Sequence, residues 1–354
     1  MLFRSMAQPW YTTREVVKDA LDVKETARAD HLIDRAIASG ARTIDGLMHR
    51  RFYPEVRTLA WDWPNGQRAR SWRLWLDDNE LVAATTVTAG GIVIPPGDYL
   101  LYPSSGPPYN RIEIDLSSGS ALSSGATHQQ TVVIAGLYGF RDDEERVGTL
   151  TADLGADQGD TATVTWTMPD LGVGDILRID SERMIVSART MIDSSQDIGA
   201  GLAASAADVT IPVASGNAFA LGESILIDSE RMLVVDIAGN NLIVKRAWDG
   251  SVLAAHSLGA SIYRLAGVSL ARGQLGATAA AHANGAVVYR HRPPSLISSL
   301  NEALAINELL QKRAGYARVA GAGDNQREVS GRGIRQLSAD AYAAYGRKAR
   351  LRGV

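Results

Sequence analysis

Gly174–Met184 reads GDILRIDSERM, and Gly222–Met232 reads GESILIDSERM. The two stretches lie 48 residues apart, residue 174 matching residue 222, and share the hexamer IDSERM without a change. A second pair follows at a different spacing. Arg246–Arg264, RAWDGSVLAAHSLGASIYR, matches Arg272–Arg290, RGQLGATAAAHANGAVVYR, 26 residues further on. This match aligns His256 with His282, Gly259 with Gly285, Tyr263 with Tyr289 and Arg264 with Arg290. A tandem array has one spacing, so two spacings predict nesting. Residues 192–264 hold the IDSERM half and the R…H…G…YR half in direct succession. The other copy has its first half before that segment, in 148–191, and its second half after it, in 265–290. One small β module is therefore expected inside a loop of its own duplicate, where insertion is best tolerated. Two copies are too few for a solenoid.

Outward from the repeats the pattern changes twice. Residues 57–147 alternate in short runs, among them Trp72–Leu76, Val82–Val87, Ile112–Leu116 and Thr131–Tyr138, broken by Gly, Pro, Asp and Ser. That punctuation predicts a β-sandwich or barrel. Residues 12–50 and 295–316 read as helical. Thr12 and Glu15 have capping-box spacing. A helix is expected from Thr26 to about Arg50, with Leu32, Ile33, Ala36, Ile37, Ile44, Leu47 and Met48 as its apolar stripe. Gly40 either weakens its middle or lets another helix approach closely. Ser295 is expected to cap a second long helix with Leu296, Leu300, Leu304, Ile306, Leu309 and Leu310 on its apolar face. Residues 317–354 are rich in Gly, Ala and Arg and cannot bury a core of their own. Ser338 to Arg350 is expected to form one short helix, with Ala341, Tyr342 and Tyr345 on one side.

The fold class expected is α+β. A helical bundle formed by the N- and C-terminal helices would carry β-sandwich or barrel-like insertions and an extended C-terminal arm. The segments would be 1–56 (N-terminal bundle helices), 57–147 (β-rich domain), 148–290 (nested repeats), 291–316 (C-terminal bundle helix) and 317–354 (basic arm).

Composition limits the function. At 354 residues the chain has room for two or three domains. A net charge of −3 gives no global field for nucleic acid or a membrane surface. The absence of cysteine excludes disulfides, thiol nucleophiles and cysteine metal sites. No apolar run reaches a membrane span, and the N-terminus lacks the apolar region of a signal peptide. There is no phosphate loop, nucleophile elbow or dinucleotide fingerprint.

The chemistry-bearing residues inside the repeats have structural and functional readings. Asp180 with Glu182 and Asp228 with Glu230 are paired carboxylates. A glycoside hydrolase would need such a pair across a cleft, and calcium would accept oxygen ligands this closely spaced. The favoured reading is turn chemistry, with each Glu facing solvent or bracing a neighbouring backbone. His256 and His282 are expected to bond local backbone and fix a turn. Trp61, Trp63, Trp72 and Trp75 form either a β core, a subunit contact or a sugar platform. No catalytic residue, metal ligand or cofactor is assigned.

The opening YTTREVVKDALDV…ADHLIDRAIASGARTIDGLMHRRFYPEVRTLAWDWP, with its junction Arg51-Phe52-Tyr53-Pro54, resembles the head-to-tail connector (adaptor) proteins of tailed bacteriophages. The stretch Val82 to Leu116, with Gly97–Pro103 reading GDYLLYP, is similar to a β region of many actinobacteriophage adaptors. The SERM, R…H…G and V-Y-R elements resemble small β modules of phage virion proteins. The resemblance implies a structural, non-enzymatic virion protein of the neck, assembled in the host cytoplasm. It implies a ring, commonly of twelve copies, that binds the portal protein and the next neck, stopper or tail protein and lets genomic DNA pass. Ring contacts would use Leu32, Ile33, Ile37, Ile44, Met48, Leu300 and Leu304. Portal docking would use Arg327, Arg332, Arg335, Tyr342, Tyr345, Arg347, Arg350 and Arg352. The alternative is a tail protein that binds a receptor or carbohydrate through its β insertions.

Overall fold

The computed structural model describes residues 9–21, 30–66, 70–156, 161–166, 171–313, 319–320, 327–328 and 332–347. Its first helix, α1 (Arg14–Ala20), is capped by Thr13, whose hydroxyl accepts the Val16 N–H at 3.4 Å. The Thr12–Glu15 capping box does not form. Glu15 reaches away from its own helix, and its carboxylate accepts the Val173 N–H at 2.7 Å. Helix α2 (Asp30–Met48) buries Ile33, Ala36, Ile37, Gly40, Ala41, Ile44 and Met48, the i, i+3, i+4, i+7 set of one helix face. His49, in the left-handed region at φ 51°, ends it. The expected residues 26–29 of this helix lie outside the described residues.

The next strands are β1 (Glu55–Trp61), β2 (Arg73–Trp75), β3 (Leu81–Ala89), β4 (Ile92–Ile94), β5 (Tyr99–Tyr102), β6 (Arg111–Ile114) and β7 (Val132–Tyr138). They form two antiparallel sheets, β1-β7-β3-β4 and β2-β6-β5, over one shared core. Alternation drives this: β7 buries Val132, Ile134, Gly136 and Tyr138, while the residues between them are only half-buried. Trp61, Trp63, Leu74, Leu81, Ile112 and Ile134 fill the space between the sheets.

The repeat region contributes β8 (Glu144–Leu150), β9 (Thr161–Trp166), β10 (Ile176–Ile179), β11 (Glu182–Asp197), β12 (Thr210–Pro212), β13 (Ser224–Ile227), β14 (Glu230–Ala238), β15 (Asn241–Lys245), β16 (Ser261–Ala271) and β17 (Val287–His291). The order β11-β10-β17-β8-β9-β16 closes on itself, because β16 also pairs with β11. Closure removes the sheet edges and encloses Leu150, Leu177, Met184, Val186, Val268, Leu270 and Val288. The second group, β13-β14-β15-β12, continues from the N-terminal half of β16 around Ile211, Ile225, Met232, Val234, Leu242 and Ile262.

The pairing registers of the two copies coincide. In the inner copy Leu233 pairs Lys245, Val234 pairs Val244 and Ala238 pairs Asn241, with a bulge after Val234. In the outer copy Ile185 pairs Ala271, Val186 pairs Leu270 and Thr190 pairs Gly267, with a bulge after Val186. Each outer pair is the inner pair displaced by the two repeat spacings. The inner hairpin turns at Gly239-Asn240. At the matching point of the outer copy, the β11–β16 ladder passes through an irregularity after Thr190 and runs on to Asp197 and Ser261, and the rest of the inner copy lies between those residues.

Beyond the repeats lie α3 (Ser295–Arg313), the two-residue strands β18 (Val319–Ala320) and β19 (Arg327–Glu328), and α4 (Arg332–Tyr345). Helix α4 starts earlier than expected, and Ala341 is its buried residue. Helix α3 packs on α2 where Gly40 has no side chain: a Cβ there would lie 2.6 Å from Asn301 Nδ2 and 3.2 Å from Leu304 Cβ. Close approach, one of the two roles open to Gly40, is the one observed.

The expected helical bundle does not describe this molecule. Among the described residues strand accounts for 36% and helix for 23%, with four helices against large antiparallel sheets. The cause lies in what each stripe covers. α2 and α3 bury single faces against each other and the β body, while three of the five hydrophobic cores formed by the described residues are enclosed by strands and their loops. No described helix is long and apolar enough to cross a membrane.

Candidate functional site

The repeated IDSERM turns converge with the repeated Arg and His to form two equivalent charge clusters. Asp180 and Asp228 occupy the hairpin turns β10–β11 and β13–β14 with φ of 50° and 52°, a conformation Asp tolerates better than most residues. Glu182 and Glu230 follow, point inward and are fully buried. Glu182 Oε1 accepts from Arg272 Nε at 2.7 Å and Gly273 N–H at 2.9 Å. Its Oε2 accepts from Arg272 Nη2 at 2.6 Å and Ala280 N–H at 3.0 Å, and lies 2.9 Å from His282 Nε2. His282 Nδ1 lies 2.8 Å from Asp180. Arg272 also donates to the carbonyls of Gly155 and Ala280.

The inner copy repeats each of these bonds. Glu230 Oε1 accepts from Arg246 Nε and Ala247 N–H, both at 2.8 Å. Its Oε2 accepts from Arg246 Nη2 and Ala254 N–H at 2.9 Å, and lies 3.0 Å from His256 Nε2. His256 Nδ1 lies 2.7 Å from Asp228, and Arg246 donates to Ala203, Asp208 and Ala254 carbonyls. Each cluster thus joins a hairpin turn, a strand end, the His-bearing loop and the segment that enters the module. Both ring nitrogens of each histidine face carboxylate oxygens, where the imidazolium donates twice and a neutral ring once.

The electrostatics follow from the geometry. Burial raises the carboxyl pKa, but the Arg, the His and two backbone N–H donors outweigh it and hold Glu182 at about 2. The same set holds Glu230 at about 2. Every Glu oxygen is saturated, which leaves no lone pair facing a cleft for a substrate or cation. Of the two roles expected for these glutamates, facing solvent is overturned and bracing backbone is observed. The histidines differ from expectation: their ring partners are carboxylates and not local backbone. The signal that could have found the clusters is the joint recurrence of Asp, Glu, Arg and His in both copies.

A second convergence occurs at Arg51-Phe52-Tyr53-Pro54. Phe52 and Tyr53 are buried where α2 gives way to β1. Tyr11 packs edge-on to Phe52 at 5.7 Å, and its hydroxyl accepts the Phe52 N–H at 3.1 Å. Tyr345 of α4 packs edge-on to Phe52 at 6.0 Å and to Phe140 at 5.7 Å. His291 Nε2 donates to the Phe52 carbonyl at 2.8 Å, and burial lowers its pKa. Asn301, fully buried, accepts the Tyr11 N–H through Oδ1 at 3.0 Å and donates through Nδ2 to Ile37 O at 2.9 Å. Sequence reasoning missed Asn301, because a polar residue on an apolar helix face carries no periodic signal.

The residues assigned to ring contacts lie inside the chain. Ile33, Ile37, Ile44, Met48 and Leu300 are buried, and Leu32 and Leu304 are half-buried against the same helical cores. They join α2, α3 and the aromatic junction within one chain, with Leu32 and Leu304 partly exposed. Of the assigned arm, Arg335 and Tyr342 are exposed. Tyr345 is docked within its own chain. Arg347 donates its N–H to Met48 O at 3.0 Å and its guanidinium to Asp77 O. The side chains of Arg327 and Arg332, and all of Arg350 and Arg352, lie outside the described residues.

Trp61 and Trp63 belong to the sandwich core, with Trp63 Nε1 donating to Leu122 O at 3.0 Å. Trp75 is half-buried on the three-stranded sheet, where Arg111 lies between it (5.1 Å) and Tyr102 (4.5 Å). A cleft of about 490 Å³ separates the Trp10–Thr13 segment from β10, β17 and the start of α3. Asp175, on its wall, is pushed up to about 6 by burial against the opposing pull of Arg290 and the Gly172 N–H.

No family model matches the chain, nor does any curated protein or solved structure.

Proposed function

We propose that this chain is a structural virion protein, a head-to-tail adaptor that assembles as a ring below the portal and lets the genome pass. The observation that carries the proposal is the Arg51–Pro54 junction. These residues bear the resemblance to phage adaptors, and here they unite the N-terminal Tyr11, helix α2, the β body and the C-terminal Tyr345. The closed state of the Asp–Glu–Arg–His clusters adds support, since the residues that looked most like catalysts are bound to one another and to backbone. The ring contacts in this reading use surfaces other than the α2 and α3 stripes.

The test is negative-stain electron microscopy of the full chain and of a 1–347 truncation, each mixed with purified portal rings. Truncation at 347 keeps α4 and its Tyr345 contacts. The proposal expects an added ring density, coaxial with the portal, for the full chain. A full chain that stays monomeric and ignores the portal would refute it.

A second reading rests on the Trp75–Arg111–Tyr102 row, an aromatic and cationic surface suited to a glycan. It expects glycan binding that Trp75→Ala abolishes, with portal binding absent.

A further inference from the structure

The nested copies place one carboxylate and one arginine at the same two positions, Glu223 and Arg264 in the inner copy and Asp175 and Arg290 in the outer. Glu223 is fully served. Its Oε1 accepts from Arg264 Nε at 2.8 Å, and its Oε2 accepts the Ala220 N–H at 3.1 Å. In the outer copy the Gly172 N–H donates to Asp175 Oδ2 at 2.9 Å, as Ala220 does to Glu223. The arginine goes elsewhere. Arg264 has Ile192 opposite it on the flanking strand, whereas Arg290 has Glu145 opposite it on β8. Arg290 therefore donates through Nε to Glu145 at 2.8 Å and through Nη2 to the same carboxylate. Its Nη1 stays 3.5 Å from Asp175 Oδ2, at the outer limit of a hydrogen bond.

Asp175 is also one methylene shorter than glutamate, and among the described residues nothing donates to its Oδ1. The side chain is 14% exposed, on the wall of the cleft of about 490 Å³. A carboxylate so enclosed is costly until its charge is met. Glu302 lines the same cleft from α3, beside Ser298 and Ser299, and burial raises its pKa. The cations on the wall are already engaged: Arg292 Nε lies 2.6 Å from Glu145, the carboxylate that also holds Arg290. The positive end of α3 opposes a cation only within its first turn, and Glu302 lies seven residues along from Ser295. Trp10 rests on Gly174, which has no Cβ to hold the ring away, and its side chain completes the wall. The volume is that of a site for a small organic group.

We propose that this cleft binds an alkylguanidinium group, whose N–H donors meet Asp175 Oδ1 and Glu302 and whose plane stacks on Trp10. The inner copy sets the chemistry, because the group that completes the equivalent carboxylate there is the guanidinium of Arg264. The outer copy has diverted its own arginine to Glu145, and the ligand takes the vacated role. The same group reaches the cleft from either of two sources, a small free guanidine or an arginine side chain of another chain. The site does not rest on the neck assignment. Binding carries a pH dependence. The charged and titratable groups around Asp175 are Arg290, His291 and Arg292 at the end of β17, Glu145 of β8, Glu302 of α3 and Glu15 of α1. Asp175 sits at about 6, so a proton competes with the ligand below that pH, and Glu302, raised by burial, moves the same way.

The test is isothermal titration calorimetry of the full chain with n-butylguanidinium and with n-butylurea, its neutral isostere. At pH 7 the cation is expected to saturate at millimolar concentration and to bind at least about tenfold more tightly than the urea. Its affinity is expected to fall by about tenfold or more from pH 7 to pH 5, the drop in ionised Asp175 for a value of about 6. Asp175→Asn keeps an oxygen for the Gly172 N–H and is expected to weaken the cation about tenfold or more at pH 7. Glu302→Gln changes a residue with no ion pair among the described residues, so weakening there is not loss of fold. A third probe, acetyl-Ala-Arg-Ala-amide, separates the sources: binding at least as tight as butylguanidinium assigns the site to an arginine side chain, and exclusion of the peptide assigns it to a small free guanidine. Absence of saturation, equal binding of cation and urea, affinity unchanged between pH 7 and pH 5, or binding indifferent to both substitutions overturns the proposal.

Discussion

Glu182 and Glu230 each neutralise a buried arginine and meet a buried histidine, so their charge cannot be removed alone without exposing the others. Glu182→Gln or Glu230→Gln is expected to destabilise the chain by about 3–5 kcal/mol, measured by urea unfolding. The pH dependence has a definite sign. Both carboxyls sit at about 2 in the folded chain against an ordinary 4.5, so their contribution is complete above 4.5 and lost as pH falls toward 2. The stability gap between parent and Gln variant should shrink over that window. Asp175 behaves oppositely. Its folded value of about 6 lies above its ordinary 3.8, so its contribution is complete below 3.8 and lost as pH rises through 6. Melting scans of Asp175→Asn against the parent should show the difference moving in the variant's favour from pH 4 to pH 7. The partners of these residues were hidden from the sequence by distance. Arg246 is 16 residues from Glu230, but Arg272 is 90 from Glu182, because the inner copy separates them. Nothing local to IDSERM says that its glutamate turns inward.

At the scale of elements, the helix stripes were legible and their partners were not. The spacing of Ile33, Ile37, Ile44 and Met48 shows that one face of α2 is buried, and the face is the same whether α3 or a neighbouring subunit covers it. Gly40 carried the missing information, since its absent side chain is what admits Asn301 and Leu304. Gly40→Leu should force α2 from α3 and cost about 1–3 kcal/mol or more, read as a fall in the urea midpoint. Helix α4 is held chiefly through Ala341 and the Tyr345 ring against Phe52 and Phe140. Tyr345→Ala should cost about 3 kcal/mol or more, and limited proteolysis should cut α4 faster than in the parent. Equal cleavage rates would show that Tyr345 does not hold the helix.

For the whole molecule, the two spacings of the repeat already encoded the nesting, and the registers show how the chain accommodates it. Where the inner hairpin turns through Gly239-Asn240, the outer ladder shifts register after Thr190 and Gly267 and extends to Asp197 and Ser261 before the rest of the inner copy. The outer ring of strands closes without any strand of the 192–260 segment other than the far end of β11. What the spacings did not disclose was the proportion of strand to helix, because short alternating runs carry weak signals and two long amphipathic helices carry strong ones. The most direct measurement is made on a chain in which Gly-Asn replaces residues 191–266. Its thermal unfolding, followed by circular dichroism, should show one cooperative transition with strand content retained and a Tm within about 10 °C of the parent. A chain that aggregates, or that melts without a cooperative transition, would contradict the view that the inner copy is a module seated on the tip of a hairpin in its own duplicate.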